Sequence, residues 1–389
     1  MVLFLHNRYR VPGGEERVVE ELTWLVRERI GEPAELLARG APPTANGAPR
    51  GEGGVSVAGR ARAAAGLLRG GLDPGEVGDA VRRTGARVVH AHNLNPAFGW
   101  RALAAARAAG ARVVVHLHQY RLVCAVGVCF TRGEECTRCH GRNTLPGIAR
   151  NCRGSRAEAL AYGAGLALWQ PRLVEQADAV IVPSAFARER LRALGAPLPW
   201  ERVHVLAPPV RALEQEAPAT RGAPGGYALM VGRVSPEKGL EVAIEACGLA
   251  GIPLVVAGTG FDERALATVL HRADVSFVGR VDDARLAELR AGAALALVPS
   301  RSAETFGLAA AEAMAAGLPV VGSRVGALGE LLEERALAPP GDARALAAAI
   351  ERMRADPAAG ARARERIAAL CAPVRVAQRL AAIYDGASA

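Results

Sequence analysis

The sequence has 389 residues, of which 50% are hydrophobic and 22% charged, and its formal net charge is +9. This length predicts two domains, each large enough to bury a core, and this composition excludes a disordered chain. Aromatic residues make up only 4%, which argues against nucleic acid as a partner because few side chains could stack on bases.

The basic residues are 47 arginines and a single lysine, Lys238. The arginines are spread along the predicted helices, which is typical of solvated helix faces. A basic surface also favours anionic partners such as nucleotide phosphates or lipid headgroups. The surroundings of Lys238 therefore decide whether the lone lysine has a function.

The sequence contains no apolar run near the ~20 residues that cross a bilayer. The apolar segment at residues 1–6 is too short for a secretion signal, so we expect a cytoplasmic protein. An apolar stretch at residues 157–173 contains Tyr162 and Trp169. It could line an acceptor site or make peripheral contact with the inner face of the membrane, although plain packing on the first domain is favoured.

The first half alternates short apolar segments with segments of helical spacing. Buried strands are predicted at residues 2–6, 88–92, 113–118 and 179–183, and helices at 15–30 and 99–109. Continuous apolar runs suit parallel strands that are covered on both faces. Strand–helix alternation therefore predicts right-handed βαβ units and a doubly wound sheet. Residues 39–59 are rich in Gly, Pro and Ala, which predicts a mobile loop or an excursion from the core.

The second half repeats the same alternation after a Pro- and Gly-rich stretch at residues 208–226, the predicted interdomain linker. Strands are predicted at residues 227–231, 254–257, 275–278, 294–298 and 319–322. An amphipathic helix at residues 372–385 follows the second predicted sheet. The fold class is therefore α/β, with two Rossmann-like domains.

A motif at residues 232–239 follows the first strand of the second half. Gly232 and Gly239 allow tight turns, and Arg233 and Lys238 lie between them. Both cations should reach the carboxyl edge of the sheet, where open α/β sheets bind their ligands. Two cations at that edge suit a diphosphate, whereas an ordinary turn with solvated charges is the alternative.

A second motif follows the strand at residues 294–298. A helix predicted to begin at Glu304 would offer the free backbone N–H groups of residues 305–308 to a phosphate. Glu312 would lie about 12 Å further along that helix and about 80° around it. One carboxylate could then accept hydrogen bonds from a sugar and the other from a ribose. Two solvated acids are the alternative.

With these motifs the sequence resembles glycosyltransferase family 4, whose enzymes have the GT-B fold and retain the anomeric configuration. In that fold two Rossmann-like domains face each other across a cleft. The resemblance extends over essentially the whole chain. It is most specific at residues 233–238 and at the pair Glu304 and Glu312, with further matches at residues 257–260, 277–280 and 312–321.

The resemblance implies that Arg233 and Lys238 bind the diphosphate of a nucleotide-sugar donor. Glu312 would bind the ribose and Glu304 the transferred sugar. The residues that it assigns to the donor are Gly13, Gly14, Gly232, Arg233, Lys238, Gly258, Arg280, Val281, Thr305, Phe306, Gly307, Leu308 and Glu312. No catalytic metal is expected, because the cations and helix amides would replace it.

The resemblance also divides the chain. Residues 1–210 would bind the acceptor and would contain a cysteine-rich insertion at about 120–155. Residues 211–372 would bind the donor, and the helix at 373–389 would pack back on the first domain. Two departures from the family pattern are Gln119, where relatives often have Asp, and the segment Gly326–Glu330, where they often have a Gly-Gly pair.

Histidines lie at the ends of the second and third predicted strands, at His92, His116 and His118. A lone histidine at such a place is more often structural, but three on neighbouring strand ends favour a function. We therefore expect His118 to act in catalysis, by contacting the donor or positioning the acceptor.

The expected reaction is transfer from a UDP-sugar, or less favourably a GDP-sugar, to a glycan, a lipid-linked saccharide or a small metabolite. Arg233 and Lys238 would stabilise the charge that develops on the leaving diphosphate. The rival interpretations are a sugar-nucleotide epimerase of the same fold and a silent binding or scaffold protein. A dinucleotide dehydrogenase is excluded because no Gly-x-Gly-x-x-Gly follows the first strand.

Five of the seven cysteines lie between residues 124 and 152. The spacing Cys136-x-x-Cys139 is typical of metal sites, and a cytoplasmic location favours zinc over disulfides. A similar pattern in some family relatives suggests Cys124, Cys136, Cys139 and Cys152 as ligands of a structural zinc. Cys129 could replace one of them and His140 is a spare, while free thiols and an iron–sulfur cluster are the alternatives.

Overall fold

The computed structural model describes residues 1–9, 13–40, 57–215, 226–260, 271 and 274–386. These residues form two compact units. The first unit contains Met1–Thr131, Cys136–Pro209 and Val374–Ala389, and the second contains Arg132–Glu135 and Val210–Pro373. Much of the predicted loop at 39–59 and of the predicted linker at 208–226 lies outside the described residues.

The strands are short, and most are apolar. They are β1 Val2–Asn7, β2 Ala34–Arg39, β3 Val88–Ala91, β4 Arg112–His116, β5 Phe130–Thr131, β6 Glu134–Glu135, β7 Ala179–Val182, β8 Val203–Val205, β9 Tyr227–Val231, β10 Leu254–Ala257, β11 Val275–Gly279, β12 Ala293–Val298, β13 Val320–Ser323 and β14 Leu337–Ala338.

Helices separate most consecutive strands, as the βαβ pattern requires. They are α1 Gly14–Leu25, α2 Val57–Arg69, α3 Pro74–Thr84, α4 Gly99–Ala108, α5 Leu145–Ala149, α6 Arg156–Glu175, α7 Ala185–Ala193, α8 Leu240–Ala250, α9 Asp283–Gly292, α10 Leu308–Ala315, α11 Leu328–Leu331, α12 Ala343–Arg354, α13 Ala359–Cys371 and α14 Pro373–Asp385. A π-helical turn, Val26–Ile30, extends α1.

The first unit contains a six-stranded parallel sheet in the order β2-β1-β3-β4-β7-β8. β1 pairs with β2 on one side and with β3 on the other, so the winding direction reverses at β1. The side chains of Val2, Leu3, Phe4 and Leu5 are fully buried, because helices cover both faces of the sheet. The carboxyl ends of β1, β3 and β4 therefore lie side by side at the reversal.

The second unit contains a parallel sheet in the order β11-β10-β9-β12-β13-β14. Here the winding reverses between β9 and β12, which pair directly. Open α/β sheets bind ligands outside the carboxyl ends of the strands at such a reversal. The segments that follow β9 and β12 carry the two motifs singled out in the sequence, so the topology brings those motifs together.

The predicted α/β class with two doubly wound parallel sheets is confirmed. All nine predicted strands are present within two residues of their predicted bounds. The strands that the sequence did not predict are the edge strands β2, β8 and β14 and the hairpin β5–β6. These are short or half exposed, so they lack the continuous apolar run that marks a central strand.

The chain ends with two consecutive helices, α13 in the second unit and α14 in the first. Together, residues Ala359–Asp385 are long and apolar enough to cross a membrane by length and composition alone. This is weak evidence for a span, because 44% of the apolar window is buried inside the protein. Tyr384 of α14, for example, is almost fully buried in the first unit.

Gly258 follows β10, and its backbone passes close to that of Gly232 after β9. A Cβ atom at position 258 would lie 1.7 Å from the carbonyl oxygen of Gly232. We expect Gly258→Ala to lower the free energy of unfolding of the second unit by about 1–3 kcal/mol, since the backbone must shift to accept the methyl group. Urea unfolding measures this effect.

Gly329→Ala is the matched control, because a Cβ atom there has no neighbour within 4 Å. A loss of stability no larger for Gly258→Ala than for Gly329→Ala would contradict the prediction. The close approach also means that Gly258 is required by packing, whether or not it contacts a donor.

Candidate functional site

The turn after β9 is held against the loop after β12. Gly239 has a φ of 70°, and a Cβ atom there would lie 2.2 Å from the carbonyl oxygen of Pro299. The backbone N–H groups of Arg301 and Ser302 donate to the carbonyl oxygen of Glu237 at 2.8 and 3.4 Å. The two motifs therefore form one structure at the reversal of the sheet, and glycine is required at position 239.

Lys238 and Glu304 form the centre of this structure. Lys238 Nζ donates to Glu304 Oε1 at 2.6 Å, and Ser300 Oγ donates to the same oxygen at 2.6 Å. Burial raises the pKa of the Glu304 carboxyl, but Lys238, Ser300 and the nearby charge of Arg233 together hold this pKa below its usual value. Glu304 is therefore ionised at neutral pH.

Glu304 lies in the loop before helix α10 and not at the start of the helix. The helix begins at Leu308, after Gly307 with a φ of 99°. This left-handed residue interrupts the helical backbone, so Thr305 and Phe306 precede the helix as well. The prediction that Glu304 and Glu312 share one helix is wrong. The first-turn N–H groups that remain for an anion are those that begin at Leu308.

The loop around Glu304 is also fixed from the other side. Ala327 N donates to the carbonyl oxygen of Glu304 at 2.9 Å. Gly326 has a φ of 62°, and a Cβ atom there would lie 2.4 Å from backbone atoms of Glu304. The segment Gly326–Glu330, which departs from the family pattern, thus keeps a glycine where the backbone approach demands one.

Glu312 has a partner that sequence reasoning missed. Arg290 Nη2, from helix α9, donates to Glu312 Oε2 at 2.5 Å, and both side chains are less than one-fifth exposed. In a chain with 47 arginines, nothing in the sequence distinguishes Arg290 from the others. The predicted ribose ligand is therefore an ion-paired carboxylate held at the C-terminal part of α10.

The residues predicted for the nucleotide base also end strands of the second sheet. Gly258 follows β10, while Arg280 and Val281 follow β11. Arg280 is exposed, and Gly279 before it has a φ of 69°. The structure thus places these residues at the carboxyl ends of strands, the same sheet edge as Lys238.

Gly13 and Gly14 lie at the start of α1 in the first unit. Gly13 N donates to Glu16 Oε2 at 2.8 Å, and Tyr9 N donates to Glu16 Oε1 at 2.9 Å. The carboxylate of Glu16 thus accepts from backbone N–H groups at this helix start. Residues 10–12 lie outside the described part of the chain.

Five histidines form a cluster at the carboxyl ends of β1, β3 and β4. They are His6, His90, His92, His116 and His118. His92 Nδ1 lies 2.7 Å from His118 Nε2, and His116 Nδ1 lies 3.3 Å from His90 Nε2. Tyr384 contacts the cluster, and its hydroxyl lies 2.7 Å from His90 Nδ1. The sequence predicted three of these five histidines.

Burial lowers the pKa of four of these imidazoles, those of His90, His92, His116 and His118. It lowers the pKa of His90 to about 3, and a neighbouring His118 adds to this effect. The pKa values of His92 and His116 lie well below the usual value, first because of burial and then because of the other histidines. The pKa of His118 is also lowered by burial, although Glu15 and Glu16 oppose the shift.

One nitrogen from each of His90, His92 and His116 lies within 4.8 Å of the others. However, the rings of His90 and His116 are stacked with an interplanar angle of 8°, and those of His92 and His116 with 29°. Lone pairs lie in the ring planes, so stacked imidazoles do not direct them toward one centre. The cluster is therefore a hydrogen-bonded stack and not a preformed metal site.

His118 lines an open pocket of about 730 Å³ in the first unit. Trp100 and Trp169 contribute to the same pocket, and their ring centroids are 5.9 Å apart. Trp169 Nε1 donates to the carbonyl oxygen of Leu68 at 3.0 Å, which fixes the orientation of the indole. Trp169 belongs to the apolar stretch at 157–173, so this stretch lines the pocket.

The five cysteines between residues 124 and 152 line a second pocket, of about 370 Å³. All are free thiols, and Cys129 and Cys139 are buried. A hydrogen bond from Cys129 is the largest of the effects that lower the pKa of Cys124 to about 6. Cys124 therefore has thiolate character at neutral pH. The structural zinc stays a prediction.

Comparison with known proteins identifies the class and then the family. The parallel sheets match solved glycosyltransferase structures, so each unit has the α/β architecture of the GT-B class. A family model described as a glycosyl transferase 4-like domain matches residues 13–209, and one described as glycosyl transferases group 1 matches residues 225–356. The chain belongs to this glycosyltransferase family, which confirms the resemblance seen in the sequence.

The chain is 34% identical to the glycogen synthase of Mycobacterium tuberculosis over 203 residues, 49% of each chain. It is 32% identical to a GDP-mannose-dependent alpha-mannosyltransferase of Mycolicibacterium smegmatis over 43% of this chain and 46% of the other. The chain thus spans about half the length of the curated relatives that it matches.

Two solved structures are similar over nearly the whole chain. Sucrose-phosphate synthase from Thermosynechococcus elongatus has a TM-score of 0.67 and 20% identity, with 99% of this chain and 98% of the other covered. Anabaena HepE, solved with UDP and glucose, has a TM-score of 0.61 and 19% identity, with 98% of both chains covered. At these identities the likeness establishes the fold.

Proposed function

We propose that the protein is a retaining glycosyltransferase that moves a sugar from a nucleotide diphosphate donor to an acceptor bound by the first unit. The observation that carries this proposal is the contact of Lys238 with Glu304 at the reversal of the second sheet. It places a cation, a carboxylate and a helix start where α/β sheets bind ligands.

In this proposal Lys238, Arg233 and the N–H groups at the start of α10 bind the donor diphosphate. Breaking the sugar–phosphate bond leaves negative charge on that diphosphate. Groups fixed in advance near the developing charge stabilise the transition state more than the ground state. Glu304 holds Lys238 in place and offers its carboxylate to hydroxyls of the transferred sugar.

The stereochemical part of the proposal follows from the family. The leaving phosphate takes the proton of the acceptor hydroxyl, and the new bond forms on the face that the diphosphate leaves. His118 lines the pocket of the first unit, so it is the candidate to position the donor sugar or the acceptor. Glu312, paired with Arg290, is the candidate ligand of the ribose.

UDP is the favoured nucleotide, because HepE was solved with UDP and with UDP-glucose. GDP remains the competitor, since the M. smegmatis relative is named as GDP-mannose-dependent. Relatives named for glycogen and for phosphatidyl-myo-inositol support a glycan or a lipid-linked acceptor in general. The pocket with Trp100 and Trp169 fits either acceptor, because aromatic faces pack on apolar faces of sugars and on lipids alike.

The test is a thermal-shift panel of UDP- and GDP-sugars with the wild-type protein and with Lys238→Ala. A ligand that binds only the folded state raises the melting temperature by mass action. We expect a rise with one nucleotide class, lost in Lys238→Ala and retained in Arg354→Ala, which removes an exposed cation elsewhere in the second unit.

The other interpretations have distinct outcomes in this panel. No rise with any nucleotide sugar would support the silent scaffold and overturn the proposal. A rise followed by conversion of the donor itself, without any acceptor, would indicate an epimerase. A rise that survives in Lys238→Ala would move the donor site away from the Lys238–Glu304 pair.

A further inference from the structure

The five cysteines that line the 370 Å³ pocket, here called the cysteine pocket, are Cys124, Cys129, Cys136, Cys139 and Cys152. The remaining cysteines, Cys247 and Cys371, are buried elsewhere, in the second unit. Much of the pocket wall is apolar, with Ala125, Val126 and Pro146 among its residues. Five thiols thus line one pocket that the proposed sugar transfer does not use.

The hairpin β5–β6 places two of these cysteines directly opposite each other. Cys129 comes immediately before β5 and Cys136 immediately after β6, and Cys136 N donates to the carbonyl oxygen of Cys129 at 2.8 Å. Residues paired across antiparallel strands have Cβ atoms ~5 Å apart. Two such side chains can bind one ion, because ~2.3 Å Zn–S bonds in a tetrahedron separate the sulfurs by roughly 3.8 Å.

The backbone of this hairpin is unusual for its residue types. Cys129 has a φ of 51° and Arg132 a φ of 55°, a left-handed conformation that favours glycine. Such residues cost free energy and are typical of ligand-binding loops. The conformation of Cys129 therefore indicates that its side-chain direction matters more than local backbone stability.

Two more sulfurs adjoin this pair. Cys124 lines the same pocket as Cys129, and each of the two thiols shifts the pKa of the other. Cys139 follows Cys136 with the spacing of a metal knuckle, and its sulfur packs against Gly147, where an added Cβ atom would lie 3.4 Å away. Cys152 approaches from another direction, after helix α5, with its N–H bonded to the carbonyl oxygen of Gly147 at 3.1 Å.

The charge near the pocket suits an anionic metal centre. Four thiolates around a divalent ion carry a net charge of −2, which a positive side chain stabilises. Arg150 lines the pocket, and the charge of Arg190 acts on Cys129. Cationic groups of this kind near the sulfurs support ligand orientation and metal affinity.

We propose that the cysteine pocket binds one zinc-type divalent ion through Cys124, Cys129, Cys136 and Cys139, with Cys152 outside the ligand set. This assignment differs from the sequence-based set, in which Cys152 is a ligand and Cys129 a spare. The hairpin is the reason, since it pairs Cys129 with Cys136. Within the described residues, no three of these sulfurs lie within 4.8 Å of one another, so the ion draws them together as it binds.

Binding of the ion has a thermodynamic consequence for the first unit. Thiols that become ligands lose their protons, and the free energy of metal binding adds to the free energy of folding. The metal would fix the segment between β4 and α6, which contains little secondary structure beyond the hairpin and α5. Its role is structural and independent of whether the protein transfers sugars.

The first measurement is the metal content of the purified full chain by plasma mass spectrometry, with and without added Zn²⁺. We expect one zinc per chain. In Cys129→Ser we expect at least a tenfold loss of zinc affinity against a chelating dye, since one of four ligands is lost. Cys152→Ser and the control Cys247→Ser should bind zinc as the wild type does.

A second measurement does not depend on the folding of any variant. The zinc-loaded wild type is treated with an alkylating reagent, and the modified cysteines are identified by mass spectrometry. We expect Cys152 to react, while Cys124, Cys129, Cys136 and Cys139 are protected until the metal is removed.

Several outcomes would overturn the proposal. A wild-type chain that takes up no zinc would refute the site, and visible absorption with bound iron would replace it by an iron–sulfur cluster. Loss of zinc in Cys152→Ser with retention in Cys129→Ser would refute the ligand set. A disulfide among the five cysteines in the native protein would equally exclude it.

Discussion

Lys238→Ala should lower kcat for sugar transfer by about 10²–10³-fold, while the protein stays folded. Lys238 is the only lysine of the chain, and its Nζ atom lies 2.6 Å from Glu304 at the reversal of the second sheet. If it stabilises the charge on the leaving diphosphate, its removal raises the barrier for the chemical step. Steady-state kinetics with the donor identified by thermal shift measure the effect.

A purely structural role for Lys238 predicts a different pattern. In that case the damage would come from leaving the Glu304 carboxylate without its cation, and Glu304→Gln would rescue Lys238→Ala. We expect no rescue, because the amide restores neutrality but supplies no charge to the diphosphate. Lys238→Arg should recover only part of the rate, since the guanidinium has a different shape and hydration. A double variant with wild-type kcat would refute the catalytic role.

The stability of the first unit should fall steeply as the pH drops below about 6.5. His90, His92, His116 and His118 all have pKa values in the folded state below the usual value for histidine, and that of His90 is about 3. Below pH ~6.5 these histidines bind protons in the unfolded chain, whereas in the folded chain they stay neutral. Each such histidine lowers the free energy of unfolding by up to about 1.4 kcal/mol for each unit by which the pH falls.

The sign of this linkage is fixed by the direction of the shifts. The stability that neutral histidines provide is fully present above the unfolded pKa of ~6.5, and it is lost as the pH falls toward the folded pKa values. Urea unfolding between pH 7.5 and 5 should show the loss. In His116→Gln, which removes one buried imidazole, the slope against pH should be smaller by roughly one proton. An unchanged slope would contradict this account.

The sequence predicted the central strands because full burial leaves an unmistakable pattern. Residues 2–5 and 227–231 are almost unbroken runs of apolar residues, and both form central strands. The edge strand β2 has a half-exposed sequence, Ala34–Arg39, which is compatible with a loop as well. Its place in the sheet depends on pairing with β1, and local sequence does not encode that pairing.

The site was predictable where glycines that allow tight turns flank charged residues. The segment at 232–239 combined both signals, and the structure brings Lys238 to the sheet reversal as expected. The start of α10 was not predictable to the residue, because Glu304 and Thr305 are compatible with a first helical turn. Only the left-handed conformation of Gly307 moves the start to Leu308.

Partners on distant elements were beyond the sequence. Arg290 and Glu312 form a hydrogen bond although they are 22 residues apart in the sequence. The hydroxyl of Tyr384 and the imidazole of His90 are in contact although 294 residues separate them. Neither pair has a spacing that any local rule describes. The five cysteines were predictable in part. Their clustering in the sequence predicted a shared site, but the hairpin that pairs Cys129 with Cys136 is seen only in the structure.

The membership of α14 in the first unit constrains the order of events during synthesis. Residues Val210–Pro373 of the second unit leave the ribosome before Tyr384 does. At ~5–20 residues per second, roughly 8–33 seconds separate the end of β8 from the arrival of α14. During that interval the second unit can fold while His90 lacks its hydroxyl partner, so the domain that begins first is completed last.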